Sequence, residues 1–183
     1  MTNLEDWKNR EGEIVLREIG IRAGQNVLDF GCGTGVYTVI VSKIIGRSGK
    51  VYALDSDEEG LLGDLIIEIK KQNLENIEII KTSGEIEFPF PNEFIDVVLM
   101  YDVLHLLKES KRDQLFNEVY RVLKKGGFTS YHATHLGRAH KIDLEQIHNK
   151  MKVIGFRLYK KLKKPMFHWA WIEDSQIFNY EKL

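Results

Sequence analysis

Short apolar runs alternate with amphipathic stretches along most of the chain, and this alternation constrains the fold more than any other feature. The runs are 27–30, 51–55, 77–80, 95–100 and 128–133. Several are almost continuously apolar, as expected for parallel strands covered on both faces. The stretches between them carry apolar residues at helical spacing, for example Leu61, Leu62, Leu65, Ile66 and Ile69. This alternation predicts an α/β fold in which right-handed crossovers join an open, mostly parallel sheet.

The C-terminal tail departs from this alternation. Segments 156–164 and 169–178 have strand patterns and are separated by Pro165 without a helix, so we expect them to pair antiparallel. Phe167, Trp169 and Trp171 alternate and are therefore expected to share one strand face, for core packing or for a homodimer contact. An N-terminal helix is predicted over 4–19, and the length of 183 residues predicts a single domain, 1–183.

Composition excludes several classes of protein. The formal net charge of −1 gives the molecule no overall bias toward nucleic acid or membrane. No run of about 18 apolar residues indicates a transmembrane helix, and residues 1–6 lack the features of a signal peptide. Cys32 is the only cysteine, which excludes a disulfide framework and a cysteine-held zinc or iron–sulfur site within one chain. We therefore expect a cytoplasmic protein.

Segment 150–164 is locally basic, with seven Lys or Arg residues and no acid. We interpret it as a solvated helix face followed by lysines that protect an edge strand from unwanted pairing. The alternative is a binding site for RNA, an acidic protein or an anionic acceptor.

A glycine-rich turn follows the first predicted strand, where segment 27–35 reads Val-Leu-Asp-Phe-Gly-Cys-Gly-Thr-Gly. In open parallel sheets, ligands bind beyond the carboxyl ends of the strands. Glycines there allow close approach, and the helix N-terminus presents free N–H groups. A dinucleotide fingerprint needs glycine at its sixth position, which holds Val36 or Thr38 here. No Gly-Lys-Ser/Thr of a P-loop follows the turn either.

Two acids near this turn indicate the charge of its ligand. Asp29 would oppose a pyrophosphate and instead favours a cationic ligand, such as S-adenosylmethionine (SAM) with its ammonium and sulfonium groups. Asp55 ends the second strand, where an acid can accept hydrogen bonds from ribose hydroxyls or can cap the following helix.

Five motifs in register resemble those of class I SAM-dependent methyltransferases, in the branch that acts on small molecules. They are 27–35, 53–55 (Ala-Leu-Asp), 88–98 (Phe-Pro-Phe-Pro-Asn-Glu-Phe-Ile-Asp-Val-Val), 103–105 (Val-Leu-His) and 121–127 (Arg-Val-Leu-Lys-Lys-Gly-Gly). The resemblance covers about 27–155. It implies a Rossmann-like three-layer sandwich with a seven-stranded, mostly parallel sheet and an antiparallel last strand. It also divides the chain into a cofactor half, 27–100, and an acceptor-side half, 101–183.

The same resemblance implies where SAM would bind. Asp29 and the backbone of Gly31 and Gly33 would hold its methionine end. The turn is completed by Cys32, Thr34 and Gly35. The backbone at Met100 and Tyr101 would meet the SAM amino group.

For the nucleoside, the resemblance assigns Asp55 to the ribose and Ser56 to the adenine. The family usually has an aspartate before the Pro-Phe segment, but Gly84 stands at that position. Ser83 and Glu85 are the candidate substitutes on either side of it.

The acceptor side offers three candidate catalytic residues, Tyr101, Asp102 and His105, which follow the fourth strand. Their alternatives are a pocket wall, a helix cap and a hydrogen-bonded histidine, respectively. Methyl transfer depends mainly on alignment and needs a general base only when the acceptor starts protonated. His132, His135 and His140 match no standard zinc spacing, so we expect no metal there, and they are loop histidines or face the substrate.

The sequence therefore predicts an enzyme that transfers a methyl group from SAM to a small-molecule acceptor and releases S-adenosylhomocysteine. Membranes and nucleic acids are not expected as partners. One alternative is a non-catalytic SAM-binding regulatory subunit, which the missing acid at Gly84 favours. The other is a nicotinamide-dependent oxidoreductase, which Val36 and Thr38 disfavour.

Overall fold

The computed structural model describes residues 4–57, 59–137 and 142–183, so His140 lies outside the described residues. The helices are α1 (Leu4–Asp6), α2 (Gly12–Ile19), α3 (Val36–Ile45), α4 (Leu62–Gln72), α5 (Glu109–Val122) and α6 (Leu144–Ile154). A π-helical turn (Trp7–Glu11) joins α1 to α2, and a 3₁₀ helix spans Leu104–Leu106. The strands are β1 (Asn26–Phe30), β2 (Lys50–Asp55), β3 (Ile77–Lys81), β4 (Ile95–Tyr101), β5 (Leu123–Ala133), β6 (Phe156–His168) and β7 (Trp171–Lys182). None of these helices is long and apolar enough to cross a membrane.

The strands form one seven-stranded sheet in the order β3-β2-β1-β4-β5-β7-β6. β1 is parallel to β2 and β4, β2 is parallel to β3, and β4 is parallel to β5. β7 is antiparallel to both of its neighbours, β5 and β6. The predicted Rossmann-like α/β fold, with a mostly parallel sheet and an antiparallel last strand, is confirmed. The strand order reverses between β1 and β4, and the carboxyl ends of strands at such a point form a ligand crevice.

Two apolar layers explain why the central strands are hydrophobic on both faces. On one face, Val27, Val97 and Leu99 pack with the buried sides of α2 and α3. On the opposite face, Leu28 and Val98 pack with α5 and α6. Fully burying one such aliphatic side chain contributes about 1.5–3 kcal/mol relative to exposing it, so both layers hold the crevice-forming strand ends in place.

The helix that precedes the tail has well-defined ends. The Asp143 carboxylate accepts hydrogen bonds from the backbone N–H groups of Glu145 and Gln146, at 2.9 and 3.3 Å, and so caps α6. Gly155 ends this helix in a left-handed conformation, with φ of 117°. This conformation costs glycine little, and it lets the chain turn directly into β6.

Two expectations for the tail are wrong. Pro165 does not separate two strands but lies inside β6, opposite Asp174 of β7. β6 is the outer strand of the sheet, where a residue without an N–H group is tolerated. Trp169 does not share a strand face with Phe167 and Trp171, because it lies in the turn between β6 and β7 with φ of 55°. Phe167 stacks on Trp7 in the core, whereas the other two tryptophans are more than half exposed.

Candidate active site

The glycine turn between β1 and α3 lies at the crevice. Its three glycines all have positive φ, 73° at Gly31, 50° at Gly33 and 78° at Gly35, a region that costs little only for glycine. The Gly31 N–H donates to the carbonyl of Leu54 at 2.8 Å, which ties the turn to the carboxyl end of β2. Cys32 and Thr34 are partly buried within the turn. Burial raises the pKa of the Cys32 thiol above its usual range, so the thiol stays neutral.

Two of these glycines are also required by close packing. A Cβ atom at Gly31 would lie 2.6 Å from Cγ2 of Val103, and one at Gly35 would lie 2.3 Å from Cδ1 of Leu65. The chain that follows β4 and the helix α4 therefore both lie directly against the turn. This packing brings Asp102 and its neighbours to the edge of the predicted cofactor site.

Asp55 links the glycine turn to the chain that follows β2 through two hydrogen bonds. Its Oδ2 accepts a hydrogen bond from the Gly33 N–H at 2.9 Å, and its Oδ1 accepts one from the Asp57 N–H at 2.7 Å. It does not cap α4, because the Leu62 N–H is bonded by the carboxylate of Asp57 instead. A carboxylate has about four lone-pair sites, so Asp55 keeps acceptor capacity for a ligand hydroxyl.

Asp29 lies beneath the turn and sets its charge. Its side chain is buried at the end of β1 and accepts a 2.6 Å hydrogen bond from the Thr38 hydroxyl. Burial raises the pKa of Asp29 to about 6, the Thr38 hydrogen bond opposes this effect, and the nearby Asp55 adds to it. A cation in the turn would relieve both carboxylates, whereas a pyrophosphate would be repelled by them. The residues present therefore fit SAM, which carries two cationic groups and ribose hydroxyls.

The segment after β3 reaches the same edge of the sheet. The Thr82 N–H donates to the Asp55 carbonyl at 2.9 Å, which places the following residues beside this acid. The Ser83 hydroxyl donates to the Glu85 carboxylate and lowers the pKa of Glu85. Gly84 lies between them with φ of 88°, and all three residues are exposed. The two candidate substitutes for the missing aspartate therefore follow directly after a residue that is bonded to the Asp55 backbone. Ser56, also predicted to meet the adenine, is partly buried directly after Asp55.

Met100 and Tyr101 end β4 in the middle of the sheet. Met100 lies in register with Phe30 of β1, so its backbone borders the start of the glycine turn. The Tyr101 hydroxyl shares a 2.8 Å hydrogen bond with Ser130, and burial raises the pKa of this phenol above its usual range. This buried, hydrogen-bonded side chain supports its alternative interpretation as a wall.

Asp102 is the centre of a polar cluster on the acceptor side. Its Oδ1 lies 3.6 Å from His105 Nδ1 and 3.4 Å from His135 Nε2, and its Oδ2 lies 3.2 Å from His168 Nε2. It accepts a 2.8 Å hydrogen bond from the Thr134 hydroxyl, and it does not cap the 3₁₀ helix. Burial raises the pKa of Asp102, against the effect of this hydrogen bond and of the nearby histidines.

The histidines that the sequence singled out near β5 separate in the structure. His135 reaches Asp102, whereas His132 is fully buried in the sheet, where burial lowers its pKa to about 3. His168 was missed by sequence reasoning. It ends an edge strand in the tail, 33 residues from His135, and no local pattern links the two.

The fold and the acidic glycine turn together define a class I, Rossmann-like methyltransferase domain. Comparison with known proteins agrees: a family model described as a methyltransferase domain matches residues 27–127, more than half of the chain. The chain belongs to this family. The predictions of a class I methyltransferase domain and of SAM as its cofactor are confirmed at this level.

Individual relatives and solved structures place the chain more closely. A demethylmenaquinone methyltransferase from Lactobacillus johnsonii is 33% identical over 61% of this chain and 44% of its own length. One from Staphylococcus carnosus is 28% identical over 95% of this chain and 67% of its own length. A SAM-dependent methyltransferase from Aquifex aeolicus has the same fold, with a TM-score of 0.78 and 23% identity over 99% of this chain and 94% of that one. The chain thus spans about half the length of several relatives, including 47% of one from Geobacillus stearothermophilus.

Proposed function

We propose that this chain is an active methyltransferase that uses SAM to methylate a small-molecule acceptor. The observation that carries the proposal is the acidic glycine turn, in which the Asp55 carboxylate holds the Gly33 N–H while the buried Asp29 lies beneath. SAM combines the cationic charge and the ribose that these two acids favour, and it lacks the pyrophosphate that they would repel. When bound, SAM supplies a methyl group on a positively charged sulfur.

The residues of this chain serve mainly to align and to exclude water. Asp29 provides negative charge for the methionine end, and the left-handed backbone of Gly31 and Gly33 allows a close approach. Asp55 accepts from the ribose hydroxyls, and Ser56 borders the adenine together with the 83–85 turn. Tyr101 contributes its backbone and a rigid wall. Alignment of two reactants in a fixed geometry supplies up to about 7–11 kcal/mol in favourable cases, so no catalytic triad is required.

The acceptor side is formed by Asp102 and His105, which lie against the glycine turn through their neighbour Val103. The relatives named as demethylmenaquinone methyltransferases make quinone-type ring systems the first acceptors to test. Because the chain shares only part of their length, a screen should also include simple phenols, thiols and carboxylates.

Calorimetry with SAM, S-adenosylhomocysteine and NAD tests the cofactor assignment. We expect SAM and its product to bind and NAD to fail. Asp55→Asn should weaken SAM binding by about 1–3 kcal/mol, because an acceptor for ribose hydroxyls loses its charge. The matched control is Asp64→Asn, an exposed acid on α4, which should leave binding unchanged.

The outcomes separate the candidate functions. NAD binding without a response to SAM would contradict the proposal and restore the oxidoreductase alternative. SAM binding without methyl transfer to any acceptor in the screen would favour the regulatory subunit. Transfer to one acceptor class, lost when SAM binding is lost, is the result we expect.

The single domain and the site residues stay predictions, and so do three further expectations from the sequence. They are residence in the cytoplasm, the absence of a nucleic-acid partner, and a homodimer contact through the C-terminal aromatic strand. The exposed side chains of Trp169 and Trp171 at the β6–β7 turn support such a contact. Sedimentation of the parent and of a Trp169→Ser variant would test it.

A further inference from the structure

Three histidines lie around Asp102 at the acceptor side, and we name the four side chains the histidine cluster: Asp102, His105, His135 and His168. They come from four places in the fold, namely the end of β4, the 3₁₀ helix, the chain after β5 and the end of β6. Their side chains are between 8% and 23% exposed, so the cluster is shielded but reachable.

The distances within this cluster match those around a bound metal ion. Asp102, His105 and His135 each bring one ligand atom within 4.8 Å of the other two. The closest approaches are 3.6 and 3.4 Å from Asp102 Oδ1 to His105 Nδ1 and His135 Nε2. His168 Nε2 lies 3.2 Å from Asp102 Oδ2 and 3.1 Å from His135 Nε2. Ligand bonds of about 2.0–2.1 Å around tetrahedral zinc place neighbouring donor atoms about 3.3–3.4 Å apart, which lies within this range.

Hydrogen bonding between these groups accounts for only part of their close contacts. The Nε2 atoms of His135 and His168 each lie close to the other ring and to the carboxylate of Asp102. A ring nitrogen carries at most one proton, and that proton can be directed to only one of these two neighbours. A single cation between Asp102, His105 and His135 would be bound by one atom of each of them at once.

The groups that contact the proposed ligands from outside the cluster resemble those that orient the ligands of metal sites. The Thr134 hydroxyl donates to Asp102 Oδ1 at 2.8 Å, which fixes the orientation of this carboxylate. His168 Nδ1 lies 3.0 Å from Glu173 Oε1, a close contact that lacks hydrogen-bond geometry, and its Nε2 faces the cluster. A carboxylate behind the second nitrogen of a histidine ligand is a recurring feature of zinc sites.

A buried histidine adds a second, independent observation. Neither ring nitrogen of His132 has a hydrogen-bond partner among the residues that the structure describes, although the side chain is fully buried. Its ring lies 6.3 Å from the ring of His168, measured between centroids. Buried polar atoms without a partner are rare, so this end of the sheet holds more polar groups than the described residues satisfy.

We propose that the histidine cluster binds a divalent first-row transition-metal ion of the zinc type. Asp102, His105 and His135 are its primary ligands, and His168, which contacts Asp102 and His135, is the fourth. Three imidazoles and one carboxylate suit zinc, cobalt and nickel better than magnesium or calcium, which prefer all-oxygen sites. This departs from the expectation that no metal binds, which rested on the spacing of His132, His135 and His140 in the chain. The ion would tie the ends of β4, β5 and β6 together beside the glycine turn.

Metal binding can be measured without SAM and without any acceptor, so this proposal and the proposed function succeed or fail separately. The full chain, free of any affinity tag and stripped with a chelator, is titrated with Zn²⁺ in a calorimeter and with Co²⁺ in a spectrophotometer. We expect one equivalent of each ion, visible absorption of four-coordinate Co²⁺, and a rise in Tm that depends on metal concentration.

Substitutions of the proposed ligands and of their neighbours test where the ion binds. His135→Asn and His168→Asn should each abolish the Co²⁺ absorption, and Thr134→Val should weaken Zn²⁺ binding by about 10–100-fold, because it removes the support of Asp102. His148→Gln is the matched control, since His148 contacts Tyr180 away from the cluster, and it should bind metal like the parent. Circular dichroism checks each fold. If the largely buried His168 variant misfolds, the more exposed His135 variant decides.

Two results would overturn the proposal. One is a parent protein that binds no stoichiometric Zn²⁺ or Co²⁺. The other is binding that persists at full strength in the folded His135→Asn variant, which would place the ion elsewhere in the chain.

Discussion

The buried carboxylate of Asp29 should lower the free energy of unfolding of this protein. The Asp29→Asn variant should reveal the size of this effect. Asp29 is 3% exposed, and burial raises its pKa from the ordinary value of 3.8 to about 6, with an added contribution from Asp55 against the opposing hydrogen bond of Thr38. Asparagine has nearly the same shape and keeps an oxygen that accepts from the Thr38 hydroxyl. Asp29→Asn therefore removes the ionisable group with little change in packing.

The direction and size of the effect follow from proton linkage. The folded chain holds the Asp29 proton more tightly than the unfolded chain does, so between pH 3.8 and about 6 the stability contribution falls as pH rises. Below pH 3.8 the group is neutral in both states and contributes no difference. Above about pH 6 the cost is complete, and the pKa difference corresponds to about 3 kcal/mol.

Urea unfolding of both proteins at about pH 4 and about pH 8 measures this cost. Asp29→Asn should be more stable than the parent by up to about 3 kcal/mol at the higher pH and by little at the lower pH. Glu75→Gln, on an exposed acid, is the control and should change stability by no more than about 0.5 kcal/mol. The same Asp29→Asn variant should bind SAM more weakly. A stability difference that is equal at both pH values, or a parent that is the more stable at pH 8, would refute the reasoning.

Four further predictions concern local structure and the basic segment. Gly35→Ala should destabilise the fold by more than about 1 kcal/mol, because φ is 78° and the new Cβ would meet Leu65 at 2.3 Å. Gly63→Ala, in α4 with open space around it, should stabilise the fold by about 0.5–1 kcal/mol, and one series of thermal melts compares both. Asp143→Ala should cost about 1 kcal/mol in urea unfolding because α6 loses its cap. RNA binding should be undetectable both in the parent and in a variant with the four lysines of 160–164 replaced by glutamate. A salt-dependent RNA complex of the parent would contradict the interpretation that these lysines only protect an edge strand.

The fold could be predicted from the sequence because each crossover unit carries its own signals. A strand that is apolar on both faces, a glycine turn and an amphipathic helix follow one another within about 30 residues, and only a parallel sheet buries all of them. The strand predictions from the sequence are wrong where polar or strand-breaking residues belong to regular strands. β5 begins at Leu123 and therefore includes the Lys-Lys-Gly-Gly stretch 124–127, which has the composition of a turn. Pro165 is tolerated because β6 has a neighbour on one side only.

The cofactor side and the proposed acceptor side also differ in how far the sequence predicts them. The cofactor side is encoded locally, since left-handed glycines and an acid at a strand end are visible in a short segment of sequence. The acceptor side is assembled by register across the sheet: His132 lies opposite Ile177 of β7, and His168 lies opposite Trp171 at the far end of the same hairpin. A shift of two residues in this hairpin would carry His168 about 7 Å along the strand, away from Asp102, while leaving every apolar layer intact. Substitutions in the tail are therefore expected to change the polar cluster of the proposed acceptor side without disturbing the glycine turn. For that reason we expect relatives of this fold to share the cofactor side more faithfully than the acceptor.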